Sequence, residues 1–186
     1  MNKAPSQLYQ LKVTLKHSKP PIWRRLLVRP DLKLAGLHDV LQIAMGWHDC
    51  HLHDFEANGT RYGVPDPEFG DDDLLDESLF KLNELLTTEK QKIRYTYDFG
   101  DFWQHDIVLE KILTVDSVPP HAKCVAGKLA CPPEDCGGIG GYEELLRIVV
   151  DPKHPDHDDM CDWLPEDFDP FAFSMDAINA ELMKLR

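Results

Sequence analysis

Residues 8–46 read LYQLKVTLKHSKPPIWRRLLVRPDLKLAGLHDVLQIAMG, and the change of period inside this stretch decides the fold. Leu11, Val13 and Leu15 alternate with polar neighbours, as the buried face of a strand requires. Lys19-Pro20-Pro21 stops that run, and IWRRLLV (22–28) reads as a second strand returning as a hairpin. From Leu34 the spacing changes. Leu34, Leu37, Val40, Leu41, Ala44 and Met45 recur at three and four residues, which gathers them on one helical face. Gly46 stands where a helix C-cap belongs. A hairpin followed by an amphipathic helix opens an α+β domain.

The rest of the chain continues in this manner. Asn58-Gly59 within residues 50–64 marks a two-residue hairpin turn. Residues 65–77, with Asp71-Asp72-Asp73, read as an exposed acidic loop, and residues 79–86 as a short helix. Residues 92–113 read as strand, turn and strand, with Phe99-Gly100-Asp101 at the turn. Ile93, Tyr95 and Tyr97 share one face of the first of these strands. Residues 116–138 read as one long loop rich in Pro, Gly and Cys. A helix over 142–151 would bury Leu145, Leu146, Val149 and Val150. A short helix follows over 154–163. The last helix, 174–185, is capped by Ser174 and faces inward with Ala177, Ile178, Leu182 and Leu185. The order predicts class α+β: an antiparallel sheet built from hairpins, one central helix packed on it, and C-terminal helices. A chain of 186 residues, 42% hydrophobic, suits a single domain over 1–186.

Bulk charge opposes nucleic-acid binding. The net charge is -13, which phosphate backbones repel. The charge is uneven: residues 1–33 hold eight Lys or Arg against Asp31, and residues 151–170 hold eight acids against Lys153. These two regions are expected to lie side by side. A second reading makes the first a basic docking surface, with Arg24, Arg25 and Arg29 on phosphates and Trp23 stacking. No run of roughly 18 apolar residues exists, so no membrane span is expected. MNKAPSQLYQ lacks the apolar segment of a signal peptide, which places the protein in the cytoplasm. Five cysteines then read as reduced thiols or metal ligands.

Chemistry-bearing residues concentrate in loops. WHDCHLHD (47–54) sets His51 and His53 two apart, on one face of a strand, where they either grip a metal or serve as hydrogen-bonded structural groups. YDFGDFWQH (97–105) offers Asp98, Asp101 and His105 around a tight turn, beside Phe99 and Trp103. These aspartates either bond their own turn amides or join an oxygen- and nitrogen-rich site. CPPEDCGGIGGYEELL (131–146) has two prolines that bar helix, then Glu134, Asp135 and Cys136, then four glycines leading into a helix. Backbone amides of Gly137 and Gly138 could meet an anion there, and a helix N-terminus can lower the pKa of Cys136. No Gly-Lys-Ser/Thr follows, so this is not a nucleotide-binding P-loop. Cys124, Cys131 and Cys136 lack the Cys-x-x-Cys spacing but could hold zinc with one histidine. HPDHDDMC (154–161) reads as a solvated helix start.

PPIWRRLLV, LHDVLQIAMGWHDCHLHDF, YTYDFGDFWQHDIVLE, CPPEDCGGIGGYEELL, DPKHPDH and FDPFAF occur in this order. Together they resemble the Ri-plasmid open-reading-frame-three-like family over about residues 7–180. The resemblance implies one α+β domain and no particular activity. Some members carry a resolvase or transposon-passenger label. Residues here oppose the resolvase part: Ser6 and Ser18 stand in no arginine cluster, and no basic recognition helix follows.

The leading expectation is a cytoplasmic binding or interaction domain. Its polar Asp, His and Cys loop face would hold a small molecule, an ion or a protein, with Trp47, Asp98, Asp101, Trp103, Gly137 and Gly138 as ligand contacts. The alternative is a metal-dependent hydrolase or nuclease-like enzyme. His51, His53, Asp98, Asp101 and His105 would hold zinc or manganese, with Glu134 or Asp135 as base or Cys136 as nucleophile.

Overall fold

Strand β1 (Ser6–Leu15) and strand β2 (Trp23–Val28) form the expected antiparallel hairpin, with Leu11 opposite Leu26 and Val13 opposite Arg24. Alternation along β2 therefore turns Arg24, Leu26 and Val28 inward and leaves Trp23 and Arg25 outside. Helix α1 (Leu34–Met45) closes on Gly46, a left-handed cap at φ 86° whose N–H bonds the Gln42 carbonyl. Leu34, Leu37, Val40, Leu41 and Met45 are buried, as their spacing requires. A computed structural model describes residues 6–66 and 73–185.

Among the described residues eight strands form one sheet, in the order β5 (Leu74–Asp76), β4 (Thr60–Gly63), β3 (His53–Ala57), β6 (Lys92–Tyr97), β7 (Trp103–Val115), β1, β2 and β8 (Lys123–Lys128). Strand β3 (His53–Ala57) and strand β4 (Thr60–Gly63) are the Asn58-Gly59 hairpin. Strand β6 (Lys92–Tyr97) pairs with strand β7 (Trp103–Val115), and β7 pairs with β1. Register stacks inward-facing residues in rows. His53 lies opposite Tyr97 and Tyr97 opposite Trp103, while Phe55, Tyr95, His105 and Leu15 make the next row. Phe55, Tyr95, Tyr97, Trp103 and His105 are fully buried beneath α1 and the segment after it. Each apolar side chain so buried contributes about 1.5–3 kcal/mol. The class is α+β, with every pairing antiparallel except one.

That exception corrects the reading of residues 65–77 as an exposed loop. Leu74–Asp76 is strand β5, parallel to β4, and a 3-10 turn over Glu77–Leu79 follows. Glu77 is buried. Residues 67–72, including Asp71 and Asp72, lie outside the described residues. The helix expected over 79–86 narrows to α2 (Leu82–Leu85).

The loop expected over 116–138 also contains a strand. Strand β8 (Lys123–Lys128) pairs with β2 at the sheet edge. Glycine and cysteine inside it weakened the apolar alternation on which the reading relied.

Helix α3 (Gly138–Val150) starts four residues before the expected point. Its buried side chains are Tyr142, Leu145 and Ile148, and Val150 is exposed. Leu146 and Val149 are half-buried against the core. Helix α4 (His157–Trp163) buries nothing fully. Helix α5 (Met175–Leu182) is capped by Ser174, whose hydroxyl accepts from the Ala177 amide. Leu182 is buried and Ile178 and Leu185 pack on the core, but Ala177 is exposed. Asn179 of α5 accepts from the Cys124 amide and donates to the Cys124 carbonyl, at 2.8 and 2.9 Å. Residues 168–171 line a hollow of about 420 Å³ together with 18–20, so the acidic C-terminal region does reach the basic first hairpin. Among the described residues no helix is long and apolar enough to cross a membrane, and all five cysteines are free.

Candidate functional site

Three motif loops meet at one end of the sheet, where β3 begins, β6 ends and β7 begins. Trp47, next after the α1 cap, is buried and stacks on Tyr97 with ring centres 5.0 Å apart. Its indole N–H donates to the Pro132 carbonyl at 3.0 Å, which fastens the 131–137 loop beside the helix end. Glu134 fastens it again. One oxygen accepts the Tyr97 hydroxyl, and the other accepts the His48 amide at 3.2 Å and lies 2.8 Å from His48 Nδ1. Burial first, and then the Glu134 carboxylate, push the Tyr97 hydroxyl well above its ordinary value, so it stays a proton donor. A third tie comes from Asp101, whose Oδ2 accepts the Gly137 amide at 3.1 Å.

These ties bring His51, Asp98 and Asp135 together. Their ligating atoms lie within 4.8 Å of one another. Nε2 of His51 is 3.2 Å from Asp135 Oδ1 and 3.8 Å from Asp98 Oδ2. It nevertheless makes no hydrogen bond of good geometry, and the atom is shielded from solvent. Both aspartates have left-handed backbone, at φ 55° and 60°. Asp98 Oδ1 is held by the Gly100 amide at 2.8 Å, and its own amide donates to the Leu52 carbonyl. Asp135 is the open side of the group, with its side chain 71% exposed.

A second polar group lies across β3. His38 and His53 stack with ring centres 3.5 Å apart and planes 8° from parallel. His53 Nε2 meets the buried Glu77 at 3.0 Å. His38 belongs to a closed ring of hydrogen bonds. The Asp49 amide donates to Gln42 Oε1, Gln42 Nε2 donates to the Tyr95 hydroxyl, that hydroxyl meets His38 Nδ1, and His38 Nε2 meets Asp49 Oδ1. Tyr95 accepts from Gln42, so its one proton goes to His38 Nδ1. His38 is then neutral with its proton on Nε2, donated to Asp49. Burial, and then the neighbouring His53, lower the pKa of His38 in agreement. The second group and, from the first, His51 border a cleft of about 420 Å³ lined also by Asp39, Arg61, Glu77 and Phe99.

The family can now be stated. Residues 7–177 match the family described as Plasmid pRiA4b ORF-3-like protein. The chain belongs to this family. It is 36% identical over 176 residues to "Uncharacterized protein y4hQ" of Sinorhizobium fredii, covering 94% of this chain and 90% of that one. The solved structure of a protein of unknown function, MM3350 of Methanosarcina mazei Go1, superposes with TM-score 0.82 at 38% identity. It covers 91% of this chain and 96% of that one. The names of these family relatives assign no activity.

Several site expectations need correction. His53 faces Glu77, and Asp101 holds an amide of the α3 entrance, so neither joins His51. Trp103 and His105 lie in the core at 0% exposure. Gly138 is a packing requirement: a Cβ there would come 2.5 Å from the Asp101 carbonyl oxygen. Burial, and then the Asp101 and Asp135 charges, push the Cys136 thiol up to about 12, opposite to the expected lowering. Cys131 Sγ sits 3.3 Å from Arg24 Nη2 and 3.6 Å from Met45 Sδ, not among other thiols. The three arginines are also committed: Arg24 to backbone carbonyls, Arg25 to Glu110 and Arg29 to Asp31. Trp23 is covered by Lys12 and Arg25. Sequence reasoning missed His38, although it lies four residues after Leu34 on the buried face of α1. It also missed Glu77, for which no local pattern was available.

His105 carries a pH prediction. Burial lowers its pKa from 6.5 to about 3, and neither ring nitrogen makes a hydrogen bond of good geometry. The folded pKa lies below the unfolded one, so this stability is full above about pH 6.5 and is lost as pH falls toward 3. From pH 7 to pH 5 this group alone removes about 2 kcal/mol. Urea midpoints of wild type and His105→Leu at both pH values check this. The variant is expected to lose less stability on acidification, and equal losses would contradict it.

Proposed function

We propose that the protein is a binding domain whose ligand seats where segments 46–52, 98–102 and 131–137 meet, and that this face selects a positive centre. One observation carries the reading: His51 faces Asp98 and Asp135, two carboxylates that no Lys or Arg ion pair reaches among the described residues. The adjoining cleft has the same sign. Asp39, Asp49, Asp66 and Glu77 line it against Arg61, which is itself paired with Asp54, while the exposed Leu52 and Phe99 supply apolar surface beside them.

Catalysis is the weaker reading because its groups are already engaged. Both oxygens of Glu134 hold the loop, so it is not a free base. Cys136, with its thiol pushed up to about 12, is protonated at neutral pH and a poor nucleophile. A reducing cytoplasm suits the five free cysteines.

The test is a thermal-shift and calorimetric screen of small amines, guanidines and quaternary ammonium ions with chelator present. A ligand of this face should bind wild type at least tenfold tighter than Asp98→Asn or Asp135→Asn. Ligands that bind all three proteins equally would place recognition elsewhere.

A further inference from the structure

We infer that His51, Asp98 and Asp135 are the protein ligands of a divalent transition metal, zinc or manganese, with open coordination positions toward solvent. This rests on the binding-face reading and names its occupant. It differs from the sequence expectation in its residues, because His53, Asp101 and His105 drop out and Asp135 changes from base to ligand.

The first support is spacing. Metal–nitrogen and metal–oxygen bonds of about 2.1 Å put neighbouring ligand atoms about 3.0–3.4 Å apart. His51 Nε2 lies 3.2 Å from Asp135 and 3.8 Å from Asp98. Closing the second distance needs a shift of about half an ångström, and the two carboxylates, whose ligating atoms lie within 4.8 Å, draw together on an ion by side-chain rotation.

The second support is the state of His51. Its Nε2 has carboxylate oxygens on two sides and is hidden from solvent, yet donates to neither. A buried imidazole nitrogen that stands between two carboxylates without a hydrogen bond is placed to share an ion with them. The third support is charge. Two carboxylates and a neutral imidazole leave two negative charges, which one divalent ion neutralises. The Gly100 amide on Asp98 Oδ1 leaves Oδ2 turned to His51, as outer contacts orient ligands in metal sites. Nitrogen with two oxygens suits zinc or manganese over metals that favour thiolate. Three protein ligands with an exposed Asp135 leave positions for water or a ligand atom.

The rival group, His38, Asp49 and His53, also has its ligating atoms within 4.8 Å of one another. Its hydrogen-bond ring excludes it. His38 Nε2 carries the proton given to Asp49, and freeing that nitrogen would strand the Tyr95 hydroxyl proton in the core. His53 is occupied by Glu77.

The experiment uses tag-free full-length protein, stripped with chelator and titrated calorimetrically with zinc chloride and, separately, manganese chloride. One ion per chain is expected. His51→Ala and Asp135→Asn should weaken binding by about 100-fold or more, and His38→Gln should leave it unchanged. Asp135 is exposed, so its variant folds even if His51→Ala does not. Cobalt loading adds a spectroscopic check: visible bands without thiolate charge transfer match the proposed ligands. No saturable binding, binding that survives Asp135→Asn, binding lost in His38→Gln, or a thiolate band would overturn the site. Organic cations that bind in chelator and need Asp98 would then keep the binding face while removing the metal. Organic cations indifferent to Asp98 and Asp135 would remove both.

Discussion

Alanine at Gly141 is expected to destabilise the protein by about 3 kcal/mol or more, while alanine one residue earlier is expected to cost nothing. A Cβ on Gly141 would lie 1.8 Å from the Cys136 carbonyl oxygen and 2.8 Å from its carbon. That is less than the sum of van der Waals radii by more than an ångström, so backbone must move. The 131–137 loop has little freedom to move. Trp47 holds Pro132, Glu134 holds Tyr97 and His48, and Asp101 holds Gly137. A Cβ on Gly140 meets nothing within 4 Å. Gly140→Ala lies inside α3 and should gain up to about 1 kcal/mol from helix propensity. Urea denaturation of both variants decides it, and equal midpoints would show that the loop yields easily. Because Asp135 rides on the same loop, Gly141→Ala should also disperse the His51 group.

Arg24→Met is expected to cost about 3–5 kcal/mol, against at most about 1 kcal/mol for Arg25→Met. Arg24 is 3% exposed. Its Nε donates to the Ala44 carbonyl at 2.8 Å, and Nη1 to the Trp23 and Lys128 carbonyls at 2.9 and 3.1 Å. Its guanidinium also stacks on Phe173 at 5.0 Å. One side chain thus joins β2, α1, β8 and the C-terminal segment. Methionine fills the volume but removes the donors to one buried and two partly buried carbonyls, and a buried group left unpaired costs about 1–3 kcal/mol. Arg25 makes a partly exposed pair with Glu110, which solvent screens. Denaturation midpoints should separate the two variants widely. Equal losses would mean that Arg24 is no more structural than its neighbour.

Arg24 also shows where the sequence was legible and where it was not. Phase in β2 was available: Arg24 alternates with Leu26 and Val28, so it had to face inward. Charge summed by segment conceals that, and groups Arg24 with Arg25 and Arg29 as a basic surface. Hairpins β1–β2, β3–β4 and β6–β7 and helix α1 were legible because their signals are local and periodic. Strands β5 and β8 were not, because three residues or a glycine-broken run carry too little alternation. The candidate site was half legible. His51 and Asp98 stand out as chemistry in turns, but their partner depends on which loop arrives beside them. Trp47, Glu134 and Asp101 determine that through contacts 36 to 86 residues apart in sequence.

Asn179 has a consequence for how copies of this chain meet. A sheet of eight strands has two ends where another strand could add. One end is β5, only three residues long. The other is β8, where the Asn179 amide pairs with both backbone groups of Cys124, as a ninth strand would. The carboxamide imitates a peptide unit and takes its place. The fold thereby guards against strand-by-strand polymerisation at its longer free end, using one polar side chain from its last helix.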